Sequence, residues 1–399
     1  MRPIYEAKLR RVPRLRNSSP KAAELLAKLV AFDTTSARSN LPLIGFVQAY
    51  LEDQGVEATL IPSADGSKAA LFATIGPEGQ GGIGLSSHSD CVPVEGQNWT
   101  SDPFTLQLRD GKLYGRGTCD MKGFLACTLA SVPLFKAREL KEPVHIIVSY
   151  DEEVGCTGVR PLIARLGKEL PQPRVIVVGE PSGMAVIDAH KRIDAYRTRV
   201  TGREAHSSMP QLGVNAIATA ARLILELERI GVDIGCETND RFDPPASTVQ
   251  VGIIEGGTAA NIVPKHCEFH WQVRSLPDAK ADTVPRRLAD FAETALLPGM
   301  LQVAPKASIA TVLRHTVPAF LARPGSEAVT LALELTGTNH TRAVSYTTEA
   351  GLFEEAGCPT VVCGPGEVTQ AHATDEFVTL AQLEACTAFL ERLAKDLCR

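Results

Sequence analysis

Four short apolar runs end in histidine or carboxylate residues, and this placement constrains the fold more than any other feature of the chain. Ile83–Ser87 leads into His88-Ser89-Asp90, Val144–Tyr150 into Asp151-Glu152-Glu153, and Val175–Val178 into Gly179-Glu180-Pro181. Thr360–Cys363 leads through Gly364-Pro365-Gly366 to His372. Short apolar, β-rich runs bounded by turn residues read as buried strands. Helical spacing of apolar residues over Met121–Arg138 and Val159–Leu166 separates the later runs. Strand–helix–strand alternation predicts a parallel or mixed β-sheet covered by helices on both faces. Open sheets of this kind build ligand sites beyond the C-terminal ends of their strands, where these residues fall.

The remaining pattern predicts an α/β domain interrupted by a second one. Helices are expected over Lys21–Phe32 and Leu43–Gln54, and a strand over Ala69–Ile75. Near residue 187 the pattern changes. Arg192–Val200 alternates in polarity, followed by a helix at Val214–Arg229, strands at Thr248–Ile254 and Glu268–Val273, a helix at Thr283–Ala295 and a strand around Ser308–Val312. That β-α-β-β-α-β order predicts an α+β two-layer domain with one solvent-facing sheet side. From Ser326 the α/β pattern resumes, with a helix to Leu335, strands near Ala343–Tyr346 and Thr360–Cys363, and a helix from Leu380. The expected layout is a loose basic tail over 1–19, a helix-covered mixed-sheet domain over 20–186 and 315–399, and an inserted domain over 187–314.

Composition excludes several functions. The 399 residues are 44% hydrophobic and 22% charged, ample for two cores. With 41 Lys and Arg against 46 Asp and Glu, the net charge of −5 offers no footprint for nucleic acid or an anionic membrane. No apolar run approaches the ~18 residues of a bilayer span. The Arg-rich start lacks the apolar segment of a secretory signal, and the 10 cysteines form no Cys-x-x-Cys pair. They read as reduced thiols, and the expected compartment is the cytoplasm. Gly79-x-Gly81-x-x-Gly84 matches a dinucleotide fingerprint letter by letter, but a strand pattern follows it, so no helix N-terminus is available for a pyrophosphate.

Asp120 lies in a Gly-rich loop, Gly115-Arg116-Gly117-Thr118-Cys119-Asp120-Met121-Lys122-Gly123, that opens a helix. Together with His88, Glu152, Glu153, Glu180 and His372 it makes a hard nitrogen and oxygen donor set suited to zinc, cobalt or manganese. Each residue alone has a plainer reading. Glu180 fits a turn or cap, and Asp151-Glu152-Glu153 fits a solvated acidic turn. Their shared position at one sheet edge is what favours a metal site.

The ordered segments His88-Ser-Asp90-Cys-Val-Pro93, Gly115–Gly123, Asp151-Glu152-Glu153, Gly179-Glu180-Pro181-Ser182, His206-Ser-Ser-Met-Pro210, Gly256-Gly-Thr-Ala-Ala-Asn261 and Gly364-Pro-Gly366…Gln370-Ala-His372 are specific. They resemble the dinuclear-metal amidohydrolase family of acetylornithine deacetylases, succinyl-diaminopimelate desuccinylases, aminoacylases and glutamate carboxypeptidases, over essentially the whole chain after the tail. Ala189-His190-Lys191, Thr348-Glu349-Ala350 and Asp375-Glu376 are most similar to the acetylornithine deacetylase branch. Glu367-Val368 departs from that pattern.

The resemblance implies two divalent cations, Zn(2+) or Co(2+), and hydrolysis of a small N-acyl amino acid such as N2-acetyl-L-ornithine. Asp120 would bridge the metals, with His88 and Glu180 on one and Glu153 and His372 on the other. Asp90, on the strand face of His88, would bond the second imidazole nitrogen, and Glu152 would be the general base. The same pattern implies a cis peptide at Asp120–Met121. The inserted domain would serve as lid and homodimer interface, with His206 as an oxyanion donor. Arg274 and Asn261 are candidates for the substrate carboxylate, although Arg274 also fits a surface salt bridge. Glu349 and Glu367 are candidates for a terminal ammonium by charge alone, and His190 and Lys191 read equally as hinge packing or substrate contacts. Other N-acyl-amino-acid hydrolases, and an inactive metal-binding homologue, stay open as alternatives.

Overall fold

The computed structural model describes residues 19–79 and 81–399. The basic tail expected over 1–19 lies, but for Ser19, outside the described residues. The chain divides into two compact units. One runs through Asp188 and resumes over Ala322–Thr341 and Thr348–Arg399; the other takes Ala189–Leu321 with Arg342–Thr347.

In the first unit, the strands Val144–Ser149, Ile83–His88, Val175–Pro181 and Thr360–Gly364 lie side by side in that order, all parallel. Every residue of these four strands is buried, which is why they read as continuous apolar runs rather than alternating ones. Ala69–Ile75 and then Ala58–Pro62 extend one side of the sheet antiparallel, so the sheet is mixed. Ile187–His190 adds antiparallel beyond Thr360–Gly364 and runs on into the second unit.

The helices Ser19–Val30, Gly123–Lys136 and Leu380–Asp396 pack into one apolar core with the sheet. Gly123–Lys136 is buried almost all round and carries small residues, so it is a central helix rather than an amphipathic one. It begins at Gly123, later than the apolar spacing predicts. Thr118–Lys122 forms a wider π-type turn, in which Asp120 (φ −122°, ψ 94°) and Met121 are not helical, and the Asp120–Met121 peptide is cis. A separate small sheet of Gln107–Arg109, Lys112–Tyr114 and Phe377–Thr379 has strands too short for sequence periodicity to reveal.

In the second unit, four antiparallel strands lie in the order Thr248–Gly256, His266–Ser275, Arg192–Thr201, Ser308–Val317. Helices Ala216–Ile234 and Thr283–Phe291 pack on one face, and alternate strand residues turn away from this core. Asn215 caps the first of these helices by accepting the Ala218 N–H at 2.9 Å. Tyr196 stacks on Trp271 at 4.3 Å, whose Nε1 donates to Thr198 Oγ1 at 2.9 Å. The helix expected over Thr283–Ala295 stops at Phe291, passes through a wider turn over Ala292–Leu296, and resumes as Leu297–Val303. Pro298, near the start of the resumed helix, cannot donate back into the preceding turn. Among the described residues, no helix is long and apolar enough to cross a membrane.

Candidate metal centre and active site

Parallel register brings three strand ends together. His88 pairs across from Ser149, so Asp151-Glu152-Glu153 begins just beyond the neighbouring strand. Glu180 ends the strand on the other side of His88. Gly179 allows this approach, since a Cβ there would fall 2.0 Å from the Phe124 ring of the central helix.

Asp120 sits between two imidazoles. Its Oδ1 lies 2.9 Å from His88 Nε2, and its Oδ2 lies 3.2 Å from His372 Nε2. Glu180 Oε1 is 3.6 Å from His88 Nε2, and Glu153 Oε2 is 3.0 Å from His372 Nε2. Ligand-type atoms of His88, Glu152 and Glu180 lie within 4.8 Å of one another, and so do those of His88, Asp120 and Glu153. The six residues thus form one cluster, in which His88 is common to both groups and the Asp120 carboxylate lies between His88 and His372.

The turn that carries Glu152 and Glu153 is held from behind. The Asp90 carboxylate accepts the N–H of Glu152 at 3.2 Å and of Glu153 at 3.3 Å, and Ser36 Oγ donates to it at 2.7 Å. Asp151 adopts φ 54°, a left-handed conformation unfavourable for a side chain, and pairs with Lys68. The second nitrogen of His88 meets the backbone carbonyl of Asp90 at 3.0 Å, while the Asp90 carboxylate stands 3.5 Å away. The tautomer-fixing contact of His88 is thus closest at the main chain, and the carboxylate chiefly serves the acidic turn. Glu152 Oε1 accepts from Cys156 Sγ at 3.4 Å.

Crowding of charge shows in the titration of these groups. Burial, then repulsion by Asp120, pushes Glu180 well above the ordinary carboxyl range and Glu153 up to about 7. Burial also pushes Glu152 well up, reinforced by Glu153 and Asp120. Hydrogen bonds to Asp120 and Glu153 raise His372 to about 10. Burial opposes charge on His88, but Glu180, Asp120 and Asp90 outweigh it and hold its proton. Burial likewise disfavours the Asp120 anion, yet hydrogen bonds from His372 and His88 keep it below the usual range. Three carboxyls and two imidazoles pushed toward their protonated forms around the Asp120 anion fit divalent cations, which supply the same positive charge and take these donors as ligands.

Other residues singled out in the sequence lie outside the donor cluster, Glu349 near enough to feel the charges of His88 and Asp90. Glu349 is 1% exposed and accepts from Ser149 Oγ at 2.5 Å and Ser86 Oγ at 3.4 Å, so its oxygens already have partners. His206, Asn261 and Arg274 belong to the second unit. There His206 is exposed, and Asn261 lies beside it through Ser207 N–H to Asn261 O at 3.0 Å. Half-buried Arg274 donates to Ser345 O at 3.3 Å. His190 and Lys191 are buried; Lys191 Nζ donates to the carbonyls of Pro244 at 2.8 Å and Ala246 at 2.7 Å, which is a packing role. Sequence reasoning assigned nothing to the buried Arg116–Glu376 ion pair, although both residues stand inside the recognised motifs.

Residues 84–396 match the model of peptidase family M20/M25/M40, and the chain belongs to that family. It is a metal-dependent amidohydrolase. It is 36% identical over 386 residues to an acetylornithine deacetylase of Myxococcus xanthus, covering 95% of this chain and 98% of that one. Its fold is similar to an M20 metallo-carboxypeptidase of Sulfolobus solfataricus, with a TM-score of 0.74, 17% identity, and 95% and 99% of the two chains covered. It is also similar to a dinuclear metal-binding M20 peptidase of Bacillus subtilis, with a TM-score of 0.67, 16% identity, and 94% and 97% covered.

Proposed function

We propose that the chain hydrolyses N2-acetyl-L-ornithine to L-ornithine and acetate. The observation that carries amide hydrolysis is the Asp120 carboxylate divided between His88 and His372, with Glu152 at the edge of the same cluster. The ornithine assignment is supported by 36% identity across nearly the full length to a relative bearing that name.

In this reading His88, Asp120 and Glu180 hold one cation and Asp120, Glu153 and His372 the other, zinc or cobalt in each case. Bound there, the ions would supply acidification of a water and polarisation of the acyl carbonyl. Glu152 takes the proton of the attacking water and returns it to the amine nitrogen as the C–N bond breaks. Asp90 fixes where Glu152 stands by holding its backbone N–H. His206 donates to the carbonyl oxygen as it gains charge, acting within a homodimer formed through the second unit. Arg274 and Asn261 receive the substrate α-carboxylate, a task for which a guanidinium fork is suited.

The test is a hydrolysis panel with N-acetyl-ornithine, N-acetyl-citrulline, N-acetyl-methionine and N-succinyl-diaminopimelate, each with and without added zinc or cobalt. The highest kcat/KM is expected for N-acetyl-ornithine. A preference for another member moves the substrate assignment while leaving the reaction class intact.

A further inference from the structure

We propose that the buried ion pair of Arg116 and Glu376, completed by Gln97, positions Asp120 and His372 for the metals. The inference rests on the metal-site reading above. Glu376 Oε1 accepts the backbone N–H of Cys119 at 2.8 Å and of Asp120 at 3.1 Å, and its Oε2 accepts from Arg116 Nη1 at 2.7 Å. The two side chains are 0% and 1% exposed. Arg116 Nη2 donates to Gln97 Oε1 at 2.5 Å, and Gln97 Nε2 donates to the carbonyl of His372 at 3.0 Å. Trp99 lies over the guanidinium at 5.0 Å and donates its Nε1 to Gln97 Oε1 at 3.0 Å. An unbroken set of contacts therefore runs from the amide of Asp120 to the carbonyl of His372.

Physical cost argues that this arrangement serves the site. A buried ion pair seldom stabilises a fold more than apolar side chains of the same volume would. His372 also holds φ 60°, a conformation that a non-glycine residue keeps only when its surroundings impose it. Here Ala373 O and Pro93 O each meet Arg116 at 3.4 Å, so the guanidinium ties the His372 segment to the segment after Asp90. Groups that hold ligands in place change metal affinity by about 10- to 100-fold when removed.

The experiment is a zinc titration against a competing chromophoric chelator, on the wild-type chain, Glu376→Gln and Gln97→Ala. Unfolding midpoints of the metal-free forms are measured alongside. The wild type is expected to take two equivalents, and both variants to bind at least one of them about 10- to 100-fold more weakly. Gln97→Ala is expected to keep the wild-type midpoint, because it removes a half-buried loop side chain and leaves the ion pair. If Glu376→Gln fails to fold, Gln97→Ala decides by the same criterion. Wild-type affinity for both equivalents in the folded variants overturns the inference, whatever their midpoints. A wild-type chain that takes up no zinc overturns the metal-site reading, and this inference with it.

Discussion

The backbone N–H of Glu152 is held 3.2 Å from the Asp90 carboxylate, so the residue two positions after His88 fixes the position of the acidic turn across the sheet. The same carboxylate takes the Glu153 N–H at 3.3 Å. Asp90→Ala removes the acceptor for both and leaves two half-buried amide donors without it, at a cost of about 1 kcal/mol or more. The expected result is a fold that survives with a lower unfolding midpoint, and a kcat reduced by roughly 10²-fold. Kinetics and thermal unfolding on one preparation check this; an unchanged kcat contradicts it.

Glu152→Gln separates the two roles open to this residue. Its carboxylate is near enough to His88 and Glu180 to be a ligand, yet the neighbouring Glu153 already reaches His372. As a proton carrier Glu152 contributes about 10²- to 10⁴-fold to rate. The expected variant keeps two metal equivalents and loses turnover by that order. Elemental analysis showing one equivalent lost would move Glu152 among the ligands.

His206→Ala is expected to lower kcat by roughly 10²-fold or more with metal content unchanged, as removal of an oxyanion donor does. Because His206 is exposed in the second unit, the substitution is not expected to disturb folding. A wild-type kcat removes the residue from the reaction.

Much of this was legible in the sequence because strand ends and turn residues are local signals. His88, Glu153 and Glu180 each follow an apolar run by one to three residues, and parallel register brings them together, while His372 lies on a longer turn after Cys363. What stayed hidden depends on contacts between distant segments. The Arg116–Glu376 pair spans 260 positions, and no periodicity reports such a pairing. Glu349 is a candidate for a terminal ammonium by charge alone, but its oxygens accept from Ser149 and Ser86 in the fold. Lys191 reads equally as packing or substrate contact, and only the fold shows its ammonium bonded to the loop carbonyls of Pro244 and Ala246. The start of the central helix was misplaced because apolar spacing cannot distinguish an α-helix from the wider turn over Thr118–Lys122.

Glu349 makes stability depend on pH. Burial raises its carboxyl from 4.5 to about 7 in the folded chain. The folded state therefore keeps a proton that the unfolded state gives up. The stabilising contribution is full below about 4.5, declines as pH rises toward 7, and is gone above it. Glu349→Gln carries no charge at any pH. For the metal-free protein, the stability of the variant relative to wild type is expected to rise between pH 5 and pH 8 by an amount on the order of 3 kcal/mol. Denaturant unfolding at the two pH values measures it, and a difference that stays constant contradicts it.

Hydrolysis of an N-acyl amino acid by a metal cluster built on Asp120 requires that turnover follow metal occupancy. Turnover of N-acetyl-ornithine is followed before chelation, after removal of chelator and metal, and after zinc or cobalt is returned. Activity is expected to vanish with the metal and to recover as two equivalents bind. Turnover that persists in metal-free protein would contradict the account.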